Sequence, residues 1–73
     1  MAFDPEALYT RLDSERRTRR LSWRGLCKEA NVHPAATSRL AYGHNPNVNN
    51  LARLLLWLGD TDLKPYIAKE PGQ

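Results

Sequence analysis

Arginines and lysines are concentrated in the middle third of the chain, where they favour binding to a polyanion. Residues 16–39 hold seven of the eleven basic residues and one acidic residue, whereas the rest of the chain holds four basic and seven acidic residues. A guanidinium group presents several N–H donors in a fixed fork, which suits phosphate oxygens and guanine edges. A solvated helix face has the same charge pattern, so charge alone leaves both interpretations open.

The element that must position these charges is a pair of short helices. Ser22 is a typical N-cap and predicts a helix start, and Asn31 follows where the chain can turn through the left-handed region. Pro34 suits the first residue of the next helix with His33 as its cap, and Gly43 suits its end. Residues 22–43 therefore predict a helix, a tight turn and a second helix.

Two further helices flank this unit. Asp4, followed by Pro5, predicts a first helix that runs to about Arg19. A fourth helix is predicted from near Asn49 to Gly59. Its apolar residues at helical spacing form a stripe expected to face the core. This stripe consists of Leu51, Leu54, Leu55 and Leu58.

Leu56 and Trp57 fall outside that stripe and need another cover. The sequence offers two, a second subunit or the chain's own tail with Leu63, Tyr66 and Ile67. No segment shows the two-residue alternation of a half-buried strand. We therefore expect an all-α fold, a compact bundle of four to five helices, with one domain over residues 1–68 and a frayed tail at 69–73.

Composition excludes several classes of function. The single cysteine, Cys27, rules out an intrachain disulfide and leaves no cysteine and histidine set for a structural zinc. We find no nucleophile–base pair, phosphate-binding glycine loop or cluster of carboxylates, so we expect neither catalysis nor a cofactor. No apolar run is long enough to cross a bilayer and no signal peptide is evident, so we expect no membrane partner and a cytoplasmic, nucleoid-associated location.

The third helix has the face best suited to chemistry. On a helical wheel Ala36, Thr37 and Leu40 point to the core. The opposite face is small and polar and consists of Ala35, Ser38, Arg39 and Tyr42. A B-DNA major groove of about 12 Å admits one α-helix, and an arginine can address guanine through two hydrogen bonds. This face is therefore a candidate for reading bases.

The run from Leu21 to Gly59 resembles the Cro/repressor (xenobiotic-response-element) type of helix-turn-helix domain. The positions that carry the resemblance are Ser22, Leu26-Cys27, Asn31-Val32-His33, Ser38-Arg39-Leu40, Gly43 and the leucines from 51 to 58. With the first helix it covers roughly residues 5 to 59. It implies a lambda-repressor-like architecture and a sequence-specific, double-stranded-DNA-binding transcriptional regulator, commonly a homodimer on a palindromic operator.

The resemblance also assigns roles to individual residues. The outward face of the third helix is implied to read bases through Ala35, Ser38 and Arg39, with Tyr42 at the groove wall. The implied contacts to the DNA backbone, at the start of the second helix and in the loop after the third, are Ser22, Trp23, Arg24, His44, Asn45 and Asn47. Arg19 and Arg20 adjoin the second helix and are included with these backbone contacts.

Several positions carry a structural interpretation beside the functional one. Trp23 suits packing against the first helix as well as donation to a phosphate, and Arg16 suits an internal salt bridge as well as a DNA contact. Thr37 stands where the family has an aliphatic residue, so we expect core packing weaker by about 1 kcal/mol or more. The reading face lacks glutamine and asparagine, which leaves specificity to Arg39, Ser38 and DNA shape.

A second function stays open beside DNA binding. The alanine-rich reading face and the uncovered Leu56 and Trp57 also fit a helix-turn-helix fold that serves as a protein-interaction adaptor or anti-repressor. Under that interpretation the partner is another protein rather than a duplex.

Overall fold

Four helices and a short strand pair make up the fold in the computed structural model, which describes residues 2–59 and 66–68. In chain order the elements are β1 (Ala2–Phe3), α1 (Pro5–Thr18), α2 (Trp23–Ala30), α3 (Pro34–Ala41), α4 (Val48–Leu58) and β2 (Ile67–Ala68). Helix α3 packs against both α1 and α2, and α4 packs against α1 and α2. The described chain is therefore compact and almost entirely helical, as the sequence predicts.

The strand pair corrects the expectation that the chain has no strand. β1 and β2 run antiparallel, with Ala2 opposite Ala68 and Phe3 opposite Ile67. The Asp4 amide donates a further hydrogen bond to the carbonyl of Tyr66. Strands of two residues are too short for an alternating pattern, so their pairing follows from the tertiary fold and not from local sequence.

A side chain caps the start of every helix. Asp4 Oδ1 accepts from the Ala7 amide at 3.1 Å, and Ser22 Oγ accepts from the Gly25 amide at 3.0 Å. His33 Nδ1 caps α3 by accepting from the Ala35 amide at 3.1 Å. These bonds satisfy amides that have no partner within the helix, which confirms the predicted starts.

Residues with positive φ end the helices. Asn31 has φ 61° after α2, Gly43 has φ 83° after α3 and Gly59 has φ 80° after α4, as predicted. Arg20, at φ 57°, has the same role after α1, which its residue type does not predict. Its amide donates to the Arg17 carbonyl, and α1 ends at Thr18, one residue before the predicted end.

The core takes at least one fully buried leucine from every helix. These are Leu8, Leu12, Leu26, Leu40 and Leu54, each with no exposed surface. Tyr66 joins them, with its ring centroid 6.4 Å from that of Phe3. At Tyr66, therefore, the tail does fold back on its own subunit. Leu63 and the tail predicted to fray at 69–73 lie outside the described residues.

Helix α4 buries a narrower stripe than predicted. Leu54 and Leu58 are buried, but Leu51 and Leu55 are only half-buried, and Leu56 is 79% exposed. Apolar side chains therefore continue from the core side of α4 round to its solvent side.

Trp57 has a partial cover that the sequence did not predict, from Arg19 and Glu29. The Arg19 guanidinium lies 4.2 Å from the centroid of the Trp57 ring and donates to the Trp57 carbonyl at 3.0 Å. The indole Nε1 donates to Glu29 Oε1 at 3.0 Å. Residues of α2 and of the α1 end thus cover this ring within one subunit. We call Arg19, Glu29 and Trp57 the Arg19 clamp.

Thr37 is buried, and its hydroxyl group is hydrogen-bonded. Its Oγ1 donates to the Pro34 carbonyl at 2.9 Å and lies 3.5 Å from Cys27 Sγ. The expected loss in packing assumed a polar group left without a partner in the core, and the bond to Pro34 removes that cost. Cys27 itself is a buried contact between α2 and α3.

Candidate nucleic-acid interface

The outward face of α3 is open to solvent where base-reading residues were predicted. Ser38 and Arg39 are exposed and Tyr42 is 81% exposed, while Ala35 is half-buried. On the other side Ala36, Thr37 and Leu40 are buried, as the helical wheel predicts. The structure therefore places all four candidate base readers on or beside one surface of a single helix.

Arg39 lies exposed on this face. Within residues 2–59 and 66–68 its guanidinium forms no hydrogen bond, ion pair or ring contact. Pro34 before it is exposed, and Ala35 is small. Small side chains at the start of the helix let its axis come close to a flat or grooved partner, and Arg39 then supplies the donors.

A cleft opens beside this face, between α1, the start of α2 and α3. Its volume is about 270 Å³. It is lined by Tyr9, Trp23, Arg24, Pro34, Thr37, Ser38, Ala41 and Tyr42. Among the described residues the lining contains one cation, several hydroxyl groups and no carboxylate, so it favours an anionic or neutral ligand over a cationic one.

Trp23 packs against the first helix, which is the structural one of the two roles that the sequence left open. Its ring stacks on Tyr9, with centroids 4.8 Å apart and planes 16° apart, and the Arg16 guanidinium lies 5.0 Å from its centroid. Among the described residues its indole N–H has no hydrogen-bond partner. The ring is thus packed against α1 while the N–H stays available as a donor at the cleft.

The start of α2 provides the second set of donors. Arg24 is exposed and forms no hydrogen bond or ion pair with any described residue. Ser22 is exposed too, and its hydroxyl accepts the Gly25 amide. The first amides of a helix point along its axis with no intrahelical partner, so this end attracts anions. Arg24 and the α2 start therefore form one electropositive corner of the cleft.

The arginines at the end of α1 divide into two kinds. Arg16 pairs with Asp13 at 2.6 Å and donates to the Leu21 carbonyl at 2.8 Å. The internal salt bridge that the sequence allowed for Arg16 is therefore present. Arg19 is held in the Arg19 clamp and also bonds Glu15 at 3.0 Å. The Arg20 side chain is exposed and contacts no hydrogen-bond or ion-pair partner among the described residues. Of these three, only Arg20 is available to an outside phosphate without breaking an internal contact.

Glu15 shows how strongly the α1 arginines are engaged. Hydrogen bonds from Arg19 and then from Arg11 lower the pKa of this carboxyl below its ordinary value of 4.5. The ionised carboxylate of Glu15 therefore holds the Arg19 guanidinium beside the last turn of α1, although the Arg19 side chain stays 37% exposed.

The loop after α3 is mixed in character. His44 and Asn45 are exposed, whereas Asn47 Oδ1 caps α4 by accepting the Asn50 amide at 2.7 Å. Glu6 Oε1 lies 3.5 Å from where a Cβ on Gly43 would be. An acidic group thus stands at the beginning of this loop, so the most favourable electrostatics for an anion lie at the other end of the face, near Arg24.

Sequence reasoning missed Tyr9, Thr37 and Ala41 as lining of the cleft. Tyr9 lies on α1, and only the packing of α1 against α2 and α3 brings it to the cleft; its spacing in the chain gives no signal for that. Among the described residues there is no group of three or more potential metal ligands. Nor is any described helix both long and apolar enough to cross a membrane.

Comparison with known proteins identifies no relative of this chain. No family model matches it, and no curated protein or solved structure does so either.

Proposed function

We propose that the protein is a sequence-specific regulator of transcription that binds double-stranded DNA, with α3 inserted in the major groove. The observation that carries this proposal is the exposed face of α3 with Arg39, whose guanidinium has no partner among the described residues. This face adjoins a cleft in which Arg24 is the one charged residue of the described lining. An α-helix of about 10–12 Å diameter fits a major groove of about 12 Å. The helix-turn-helix resemblance of residues 21–59 points to the same use.

The proposed contacts fall into two classes. Arg39 donates two hydrogen bonds to a guanine, Ser38 contacts an adjacent base edge and Ala35 packs on a thymine methyl group. Arg24, Arg20 and the indole N–H of Trp23 neutralise or donate to phosphates at the α2 end of the face. The first class selects sequence, and the second class holds the protein in register on any duplex.

The most direct test is selection of bound sequences from a random duplex pool, followed by mobility-shift titration at two salt concentrations. We expect a preferred site that contains guanine, with affinity that falls as salt rises because bound phosphates release counterions. Absence of binding even at low salt contradicts the proposal.

A pair of variants separates base reading from a general attraction to charge. Arg39→Ala is expected to reduce binding to the selected site by about 5- to 150-fold, the equivalent of about 1–3 kcal/mol, with little effect on random duplexes. Arg17→Ala is the matched control, because Arg17 is 73% exposed, has one ion pair to Asp13 and lies on α1. Equal losses in both variants, or none in Arg39→Ala, mean that α3 does not read bases.

A further inference from the structure

The cleft beside α3 combines an open volume with hydrogen-bond donors that the described chain does not use. It lies between α1, the start of α2 and α3, with a volume of about 270 Å³. The Arg24 guanidinium and the Trp23 indole N–H belong to its lining, and neither has a hydrogen-bond partner within residues 2–59 and 66–68. The Ser38 hydroxyl is a third lining group without a partner among these residues. Three unengaged donors around one cavity suit a ligand that carries acceptor oxygens.

The electrostatics of the cleft select the charge of that ligand. Arg24 is the one ionised side chain of the described lining, which contains no carboxylate. A monoanion therefore forms a neutral pair with Arg24, whereas a dianion leaves one charge unmatched in a partly enclosed site. The planar fork of a guanidinium donates two parallel hydrogen bonds to the two oxygens of a carboxylate. A single carboxylate is thus the anion that fits.

The remaining lining selects a flat, apolar body for the ligand. Tyr9 of α1 and Trp23 of α2 stack with their ring centroids 4.8 Å apart. The α3 side of the cleft consists of Pro34, Ala41 and Tyr42 together with the polar groups already described. Aromatic rings pack favourably against other aromatic rings, face to face or edge to face. An aromatic ring is therefore the body that this lining favours.

The volume of the cleft limits the size of the ligand. A water molecule takes up about 30 Å³ of the liquid, so about 270 Å³ holds roughly nine non-hydrogen atoms. One aromatic ring with one carboxylate has about that size, whereas a nucleotide is far larger. From volume, charge and lining together we infer that the cleft binds a small aryl monocarboxylate.

Such a ligand competes with a duplex for the same groups, and in this respect the inference rests on the proposed function. Arg24 and the Trp23 N–H are proposed donors to phosphates, and Ser38 is a proposed base contact. A carboxylate that engages them in the cleft leaves them unavailable to DNA. By linkage, bound DNA lowers the affinity for the carboxylate by the same factor. An aryl carboxylate in this cleft therefore releases the protein from its DNA site.

NMR titration with benzoate in the absence of DNA tests the cleft itself. The two tryptophans of the chain provide two indole N–H signals. The Trp23 signal is expected to shift with half-saturation at about 1 mM, within the range of binding free energy per atom that small ligands reach. The Trp57 signal is expected to stay in place, because its N–H donates to Glu29 and its ring does not line the cleft. Absence of a Trp23 shift overturns the inference.

Two further probes separate charge from shape. Benzylamine has the same ring with a positive charge, and inorganic phosphate has negative charge without a ring. Each is expected to need at least about a tenfold higher concentration than benzoate for the same Trp23 shift. An equal response to benzylamine overturns the pairing with Arg24, and an equal response to phosphate overturns the assignment of an aryl ligand.

Three variants test the lining. Arg24→Ala is expected to raise the half-saturating benzoate concentration about five- to tenfold, a moderate loss because Arg24 is exposed. Arg17→Ala is the matched control, with a change within about twofold, because Arg17 is an exposed arginine outside the lining. Ala41→Leu fills part of the cleft and is expected to block benzoate, while its thermal melt stays close to that of the wild type because position 41 is exposed. Equal effects of Arg24→Ala and Arg17→Ala, or wild-type binding by Ala41→Leu, contradict the inferred site.

Competition with DNA then distinguishes failure of this inference from failure of the proposed function. Benzoate at about ten times its half-saturating concentration is expected to weaken binding to the selected duplex about tenfold, relative to the same concentration of sodium chloride. Ala41→Leu is expected to bind that duplex within about twofold of the wild type and to ignore benzoate. DNA binding of the wild type that benzoate leaves unchanged overturns the competition. Absence of DNA binding without benzoate counts against the proposed function, while the cleft is judged by the NMR titration.

Discussion

Two arginines that the sequence analysis grouped together as DNA-backbone contacts, Arg19 and Arg24, are expected to behave in opposite ways. Arg19 bonds Glu15 and the Trp57 carbonyl and lies over the Trp57 ring, whereas Arg24 has no partner within the described residues. Replacing each by alanine separates a role in stability from a role in binding phosphate.

The structure gives a magnitude for each variant. The Arg19 side chain is 37% exposed, so its ion pair and ring contact are worth about 1 kcal/mol together after screening by solvent. For a domain of this size that loss lowers the melting temperature by about 4–8 °C. Arg24→Ala is expected to change the free energy of unfolding by less than about 0.5 kcal/mol.

The salt dependence of DNA binding is expected to show the reverse order. Loss of one phosphate contact reduces the slope of log K against log[salt] by about 0.9, and we expect that reduction for Arg24→Ala. For Arg19→Ala we expect the slope of the wild type. Thermal melts and mobility-shift titrations over several salt concentrations measure both quantities. If Arg19→Ala flattens the slope while its melting temperature stays unchanged, the internal role assigned to the Arg19 clamp is refuted.

Three further substitutions or conditions test the fold. Arg20→Gly is expected to stabilise the protein by about 0.5 kcal/mol, because glycine adopts φ 57° without the steric cost that arginine has there. A urea midpoint lower than that of the wild type contradicts the expected stabilisation. Leu40→Ala is expected to lower the free energy of unfolding by about 2–5 kcal/mol, because the side chain is fully buried, and the cooperative thermal melt is expected to disappear. A decrease of less than about 1 kcal/mol argues against a place for Leu40 in the core. The lowered pKa of Glu15 means that the folded state binds fewer protons than the unfolded state near pH 4.5. The contribution of this carboxylate to the free energy of unfolding is therefore complete well above that pH, and it is lost as the pH falls through the pKa of the folded state. Urea titrations of the wild type and of Glu15→Gln from pH 7 to pH 3 are expected to converge at the acid end, and parallel curves exclude this role.

The predictable part of the structure rests on local chemistry. Asp4, Ser22 and His33 cap the helices that the sequence assigned to them, since a cap needs only the amides two or three residues away. The buried and exposed sides of α3 also follow from local spacing, which is why Leu40 and Arg39 are on the expected sides.

The parts that sequence reasoning missed depend on segments far apart in the chain. Arg19 meets a carbonyl 38 residues away, and no spacing within α1 indicates that contact. Tyr9 reaches the cleft only because α1 packs against α2 and α3. The left-handed conformation of Arg20 carries no signal in residue type, because arginine rarely adopts it.

The strand pair has a consequence for how the domain opens. Pairing of β1 with β2 closes a loop of about sixty residues, whereas the helix starts and turns of the described chain are formed by contacts between near neighbours in sequence. Strands of two residues form few hydrogen bonds, so we expect transient separation of β1 from β2 to cost less free energy than global unfolding. We therefore expect the amide of Asp4 to exchange with solvent ahead of the hydrogen-bonded amides in the middle of the helices. Each such opening is expected to loosen the packing of Tyr66 on Phe3 and to leave the face of α3 intact.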